Sequence, residues 1–257
     1  MSNLQAVLSQ LRCVRRNGSG YMALCPCHED KKPSLSVKNG RDGRILLKCF
    51  AGCAYEDIAE RLGLNADAGS VDNYGGDPVI KTYDYCAENG QLSFQVCRTA
   101  SKEFPARTRG SGGWKWGMNG QKPILYRLPE ILKAEGPIVI VEGEKDEGSL
   151  RSIGVTATCN PGGAGKWPSC CRKNPDFERP LYRKDVIICG DNDVPGREHV
   201  RDEIESLRSK VKSLKIITLP DGYKDVSDWI EAHDAVEPDQ LRETLLEMAT
   251  EQGASNE

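Results

Sequence analysis

Residues 138–146 read Ile-Val-Ile-Val-Glu-Gly-Glu-Lys-Asp: four unbroken apolar residues, an acid, and a glycine that permits a tight turn. A short β-branched run bounded by a turn signal is the pattern of a strand buried on both faces, as in a parallel sheet. Outward from it the chain alternates. The spacing predicts a helix from Lys145 to Ile153, a strand at Val155–Cys159 and another at Val186–Cys189. It then predicts an amphipathic helix over Pro195–Val211, with Val200, Ile204, Leu207 and Val211 on one stripe. A strand at Leu214–Leu219 and a short helix at Val226–His233 follow. Strands alternating with helices predict an α/β unit with a mainly parallel sheet.

Acids stand where these strands end. Glu142 follows Ile138–Val141 directly, and in VIICGDNDVPG Asp191 and Asp193 follow Val186–Cys189. The carboxyl ends of parallel strands form the ligand crevice of such sheets, so these acids are expected to converge. A third group, GYKDVSDWI, adds Asp225 and Asp228. Clustered carboxylates repel one another unless cations compensate, and magnesium, which binds few carboxylates and keeps waters for phosphates, suits phosphoryl transfer. Helix caps and solvated turns are the bland reading of each acid taken alone. The segment NPGGAGKW, 160–167, is a decoy: a phosphate-binding ATPase loop needs glycine where Asn160 stands and Ser or Thr where Trp167 stands. Its glycines and Lys166 are expected either to line the crevice or to form a plain turn.

Upstream, Leu4, Val7, Leu8 and Leu11 are helically spaced, and Tyr55–Leu62 reads as a second helix. Between them lie Cys25-Pro-Cys27-His28 and, twenty-one residues after His28, Cys49-Phe-Ala-Gly-Cys53. Two knuckles at this distance supply a tetrahedral zinc site. Cys25, His28, Cys49 and Cys53 are the expected ligands and Cys27 the spare, because neighbouring Cys27 and His28 would be strained as joint ligands. Free thiols in a turn-rich segment are the alternative. Such a segment has too little apolar content to fold without a metal. Cys159, Cys170 and Cys171 read as structural. Residues 65–78, rich in Gly, Asp and Asn, read as a linker. Val79 to Arg107 is strand-like around an Asn89-Gly90 turn, Gly110–Gly120 is a Gly/Trp-rich loop, and LPEILKAE is a short helix.

The formal net charge is −3 over 257 residues, but it is unevenly spread. Residues 1–65 carry +4, residues 66–135 are near neutral, and residues 136–257 carry −8. Between 98 and 127 there are seven basic residues and one acid, Glu103. An acidic region cannot hold a polyanion without metal ions. No apolar run approaches the ~20 residues of a membrane-crossing helix, and the first sixteen residues lack the charge order of a secretory signal. Eleven cysteines in that context point to a reducing cytosol and to metal binding rather than disulfides.

CPCHEDKKPSLSV…LKCFAGC resembles the zinc ribbon of bacterial and phage primases, and VEGEKD with GDNDVPG resembles the Toprim signature, Glu-Gly followed by Asp-x-Asp. With YRLPEIL between them and KDVSDW after, residues 5–232 resemble phage- and plasmid-type primases, some of which are fused to helicases. The resemblance implies a β-rich zinc module at 1–65, a linker at 66–78 and a basic polymerase subdomain at 79–135. A Toprim-type catalytic domain at 136–235 and a C-terminal helix and tail at 236–257 would follow. It implies a DNA primase that makes short RNA primers from ribonucleoside triphosphates on single-stranded DNA in a bacterial host cytosol. The zinc would be structural. Glu142, Asp191 and Asp193 would be catalytic and, with Asp225 and Asp228, would hold magnesium or manganese. Arg98, Lys102, Arg107, Lys145 and Lys166 would contact nucleotide or template, and Trp114 and Trp116 would either stack bases or form a local core. The second knuckle has three intervening residues where bacterial replicative primases usually have two, which alters the expected ligand geometry. No ATPase motif is present, so a replicative helicase would be a separate chain or the sequence a piece of a longer one. A Toprim nuclease and a non-enzymatic DNA-binding regulator are the rival readings.

Overall fold

The computed structural model describes residues 3–39, 45–62, 73–110 and 113–251, and the chain divides into two compact units. The first unit comprises Met1–Ile80 with Thr99–Ser101, and the second Lys81–Arg98 with Lys102–Glu257.

In the first unit, helix α1 (Asn3–Ser9) precedes strands β1 (Arg15–Asn17), β2 (Gly20–Ala23), β3 (Leu35–Asn39) and β4 (Ile45–Cys49), and helix α2 (Tyr55–Arg61) follows. The four strands form an antiparallel sheet in sequence order. In β4, Ile45, Leu47 and Cys49 are buried while Leu46 and Lys48 are exposed, the period-two alternation of a sheet with one solvated face. The small core holds Val7, Leu35, Val37, Ile45, Leu47, Ile58 and Leu62. Register aligns Ala23 with Leu35 and Leu35 with Cys49, so Cys25 and Cys49 emerge at one end of the sheet. Of the stretch read as a linker, residues 65–72 lie outside the described residues. Asn73–Tyr74 form strand β5, paired with the start of β6 (Asp77–Cys86).

The second unit contains the rest of β6, then β7 (Leu92–Thr99), β8 (Ala106–Gly110), β9 (Gly113–Trp116) and α3 (Leu128–Lys133). The Gly/Trp-rich segment expected to be a loop is thus partly a strand: Trp114 and Trp116 pair with Arg109 and Arg107 in a tight antiparallel hairpin. The C-terminal half runs β10 (Ile138–Val141), α4 (Glu144–Ser152), β11 (Ala157–Thr158), α5 (Trp167–Lys173) and β12 (Asp185–Cys189). It ends with α6 (Val194–Leu207), β13 (Ser213–Ile217), α7 (Val226–Ala232), α8 (Pro238–Glu247) and β14 (Ala249–Glu251).

These strands make a sheet in the order β11-β10-β12-β13-β14, parallel except for β14. The apolar run of β10 divides by parity. Ile138 and Ile140, with Val186 and Ile188, pack against Trp167, Phe177 and Leu207. Val139 and Val141, with Ile187 and Cys189, pack against Tyr85, Phe94, Leu150, Trp229 and Leu245. Both faces are therefore covered, which is why the strands contain no polar alternation. At about 25 cal/mol per Å2 of apolar surface, these two layers supply the main stabilisation of the unit. No helix among the described residues is long and apolar enough to cross a membrane.

Candidate active site and metal centre

In the first unit the ligand atoms of Cys25, His28, Cys49 and Cys53 all lie within 4.8 Å of one another. His28 Nδ1 is 3.2 Å from Cys53 Sγ and 3.9 Å from Cys49 Sγ. Its other nitrogen, Nε2, is 3.1 Å from Asp30 Oδ1, the carboxylate–imidazole arrangement that orients a metal-bound histidine. Asp30 is itself held by the Ser34 hydroxyl at 2.6 Å and the Cys25 N–H at 2.9 Å, which keep its carboxyl low, at about 2. Burial pushes the Cys49 thiol up, but N–H groups of Cys53 and Ala51 and the Ser34 hydroxyl outweigh it and bring the thiol down to about 7. Desolvation and the neighbouring sulfurs push Cys53 up to about 11. Three sulfurs and an imidazole nitrogen gathered this closely are the donors that zinc takes. Cys27 stays outside the cluster, half-buried.

In the second unit, β10 and β12 are hydrogen-bonded neighbours with Val141 opposite Cys189, so Glu142 and Asp191 leave adjacent strands at the same rim. They line a cavity of about 340 Å3 together with Glu144, Asp146 and Asp225. Burial and repulsion from Asp193 and Asp146 raise Glu142, while Lys224 opposes the shift. Burial and repulsion from Glu142 and Asp146 raise Asp191 to about 7, again against Lys224, whose Nζ lies 3.7 Å away. Glu142 Oε2 is buried without a hydrogen-bond partner among the described residues. Acids short of counter-charge, one with an orphaned oxygen, match the needs of divalent cations.

The turn that presents Asp191 is tightly specified. Asn192 ties it to the loop before α7, its N–H reaching Lys224 O at 2.8 Å and its amide Tyr223 O at 2.9 Å. A β-carbon on Gly196 would lie 2.4 Å from Asp191 O, and one on Gly190 would lie 2.3 Å from a Val200 methyl. Cap chemistry is also present. Asp193 accepts from Gly196 N at 2.8 Å and Asp225 from Asp228 N at 2.8 Å, each with one oxygen, opening α6 and α7. The capping role and the cavity role thus coexist in Asp225. Asp193, expected beside Asp191, is not among the residues that line the cavity: its carboxylate is turned to the start of α6, and its charge helps raise Glu142.

The sequence-predicted basic residues divide. Arg98, Lys102 and Lys145 line the cavity, and Lys145 Nζ is 3.5 Å from Asp225 Oδ2. Arg107 does not line it. It is 4% exposed, donates to Gln95 Oε1 at 2.8 Å across the β7–β8 pair, and lies over Trp114 at 4.3 Å and Trp116 at 5.7 Å. Period-two geometry turns it to the sheet face opposite Phe94 and Val96, where the tryptophans form a local cluster around it. Lys166 is exposed at the start of α5, and Gly162 and Gly163 rather than Lys166 reach the cavity. Asp228 is 43% exposed at its side chain and lies outside the cavity, 3.9 Å from Lys145 Nζ.

Sequence reasoning missed several lining residues. Asp146 accepts from Ser227 Oγ at 2.6 Å, and Ser227 accepts from Ser149 Oγ at 2.8 Å, a chain that joins α4 to α7. Glu144 accepts from the buried Tyr85 hydroxyl at 2.8 Å. Tyr83 and Phe104 supply aromatic faces, with Arg98 5.9 Å from the Phe104 ring centre. Asp146 was visible as the acid closing IVIVEGEKD, four residues after Glu142. No local signal marked Tyr83 or Phe104.

Residues 1–60 match the family model of the CHC2 zinc finger, the DnaG-type zinc ribbon. Residues 1–60 are therefore a zinc ribbon of that type, followed along the chain by a unit with a mainly parallel α/β sheet. No curated protein sequence matches the chain. Among solved structures, the zinc-binding and RNA polymerase domains of the Aquifex aeolicus primase are 18% identical, covering 97% of this chain and 84% of that one, with a TM-score of 0.49. The primase fragment of the bacteriophage T7 primase-helicase protein is 19% identical over 82% of this chain and 95% of that one, with a TM-score of 0.43. A DnaG primase catalytic domain bound to single-stranded DNA is 19% identical over 66% of this chain, with a TM-score of 0.46. This chain spans 53% of that domain's length.

Proposed function

We propose that the protein is a DNA primase that makes short RNA primers on single-stranded DNA by metal-dependent nucleotidyl transfer. The observation that carries this reading is the two-sided cavity. Five carboxylates line it, and Arg98, Lys102, Lys145 and Lys224 line it too, with Tyr83 and Phe104 beside them. Acids alone would serve any metal site, whereas acids facing guanidinium, ammonium and aromatic groups suit a nucleoside triphosphate. A DnaG-type zinc ribbon in the same chain supports the same conclusion.

Glu142, Asp191 and Asp193, with Asp225 beside them, would hold magnesium or manganese. Bound there, such ions would neutralise the triphosphate and favour ionisation of the primer 3′-hydroxyl. Arg98 and Lys102 would hold phosphate oxygens, Arg98 also backing the Phe104 ring against which a base can stack. The Ser149–Ser227 chain keeps Asp146 oriented, and Lys145 holds Asp225 in place. Cys25, His28, Cys49 and Cys53 would hold a structural zinc, and residues 1–65, which carry +4, would meet the single-stranded template. A replicative helicase would be its partner, as a separate chain or as part of the same polypeptide.

Full-length protein incubated with single-stranded DNA, magnesium and four ribonucleotides should yield short labelled oligomers, and Asp191→Ala should yield none. Retained synthesis by that variant would sink the metal assignment. DNA cutting without nucleotides would instead mark a nuclease, and template binding with neither activity a regulator.

A further inference from the structure

The segment NPGGAGKW, 160–167, forms a glycine turn that leads into α5. Gly162, Gly163 and Gly165 all have positive φ, at 90°, 71° and 70°, a conformation natural to glycine and readily lost through its freedom. Gly162 and Gly163 nonetheless form part of the cavity wall. Asn160 Nδ2 donates to Gly163 O at 2.9 Å within the turn. The Gly165 N–H reaches outside it, donating to Nδ1 of His199 on α6 at 3.2 Å.

His199 is 2% exposed, and so is Glu203 one turn further along α6. Because Nδ1 accepts, the neutral ring carries its proton on Nε2, which faces Glu203 Oε1 at 3.3 Å. Neither of these two atoms has a hydrogen-bond partner among the described residues, so their approach is a close contact and the Gly165 N–H is the ring's hydrogen bond. Burial lowers His199 and raises Glu203, with Glu142 adding to the latter, so both shifts favour the uncharged forms. A neutral buried pair costs far less desolvation than a charged one and leaves Nδ1 free to act as an acceptor. The same helix is opened by Asp193, so α6 carries the Asp-x-Asp turn at its first residue and the anchor of the glycine turn one and a half turns later.

We propose that His199 is a positioning residue for nucleotide binding: its Nδ1 fixes the Gly162–Gly165 turn to α6, giving the cavity a defined backbone wall against the nucleotide's polyphosphate. This rests on the nucleotidyltransferase reading given above.

The test compares His199→Leu and His199→Asn in the full chain, using ATP with magnesium in a primer-synthesis assay. Leucine keeps volume but removes the acceptor. Asparagine can present Oδ1 to the same N–H. His199→Leu should raise KM for ATP about tenfold with kcat within about twofold, as expected for one lost hydrogen bond acting on binding. His199→Asn should return KM to within about threefold of wild type. An unchanged KM in His199→Leu, or an equal defect in both variants, overturns the proposal. Should the leucine variant fail to fold, amide exchange in the wild-type protein decides: the Gly165 N–H must be protected well above the neighbouring Gly163 N–H. Fast exchange at Gly165 ends the inference even if the primase reading stands. Absence of ATP binding by the wild-type chain sinks the primase reading, and with it any role of the turn in holding a nucleotide.

Discussion

Cys25, His28, Cys49 and Cys53 gather their ligand atoms within 4.8 Å of one another on a unit whose core is a handful of aliphatic side chains. Glu142, Asp191 and Asp225, by contrast, line the rim of a sheet packed on both faces by aromatic and aliphatic residues. The first cluster is backed by its surroundings: Asp30 faces His28 Nε2, Ser34 holds Asp30, and the Ala51 N–H donates to Cys49 Sγ. The second is left short, with an orphaned carboxylate oxygen and an acid whose pKa sits near neutrality. On the reading proposed above, an ion that the fold needs would meet a full set of protein ligands, whereas an ion that the chemistry needs would meet an open one, on a fold secured elsewhere.

The sharpest way to break this contrast is to remove one ligand from each cluster. Cys49→Ser should abolish zinc binding and unfold the first unit, a loss on the order of 10 kcal/mol. Metal analysis and amide spectra should show collapse of the resonances of residues 3–62 and retention of those of 113–251. Asp191→Asn should leave zinc content unchanged and reduce primer synthesis by about a thousandfold, roughly 4 kcal/mol of transition-state stabilisation.

The same substitution should stabilise the metal-free protein. Asp191 titrates near 7 when folded and near 3.8 when unfolded, so its folded state binds the extra proton between those values. Its contribution is full below about 4 and is lost as pH rises through 7. Metal-free Asp191→Asn should therefore gain on the order of 2 kcal/mol over wild type at pH 8 and almost nothing at pH 4, read as a difference in Tm. A pH-independent gain would mean that Asp191 is not repelled by its neighbours.

Two arginines on neighbouring strands sharpen the comparison further. Arg98→Ala should raise KM for ribonucleotides about tenfold. Arg107→Ala should leave KM unchanged and cost about 1–2 kcal/mol of stability, because it removes a buried hydrogen bond and two cation–π contacts.

That pair also marks the limit of reading from sequence. Strand and helix periods in Ile138–Val141, Val186–Cys189 and α6 were legible because burial on both faces forces apolar runs. The acids after those strands were legible because strand ends meet in a parallel sheet, and the cysteine knuckles because zinc dictates spacing. The basic stretch was not resolved. Alternation tells which side chains share a face, but not which face meets the cavity, so Arg98 and Arg107 looked alike. Asp225 and Asp228 looked alike for a similar reason, since a helix cap turns one inward and its neighbour three residues on outward. Helix α5 escaped notice because Trp167-Pro-Ser-Cys-Cys has no amphipathic stripe, its burial coming from Trp167 against Phe177.

The two glycines flanking the Asp-x-Asp turn have an evolutionary consequence. Any single-base change in a glycine codon that yields another amino acid adds a β-carbon, and at Gly190 and Gly196 that carbon collides with Val200 or with the Asp191 carbonyl. Drift has no small step to take at either position. Lineages carrying this loop should pass it on unaltered at both sites or lose the turn that sets Asp191 at the sheet rim.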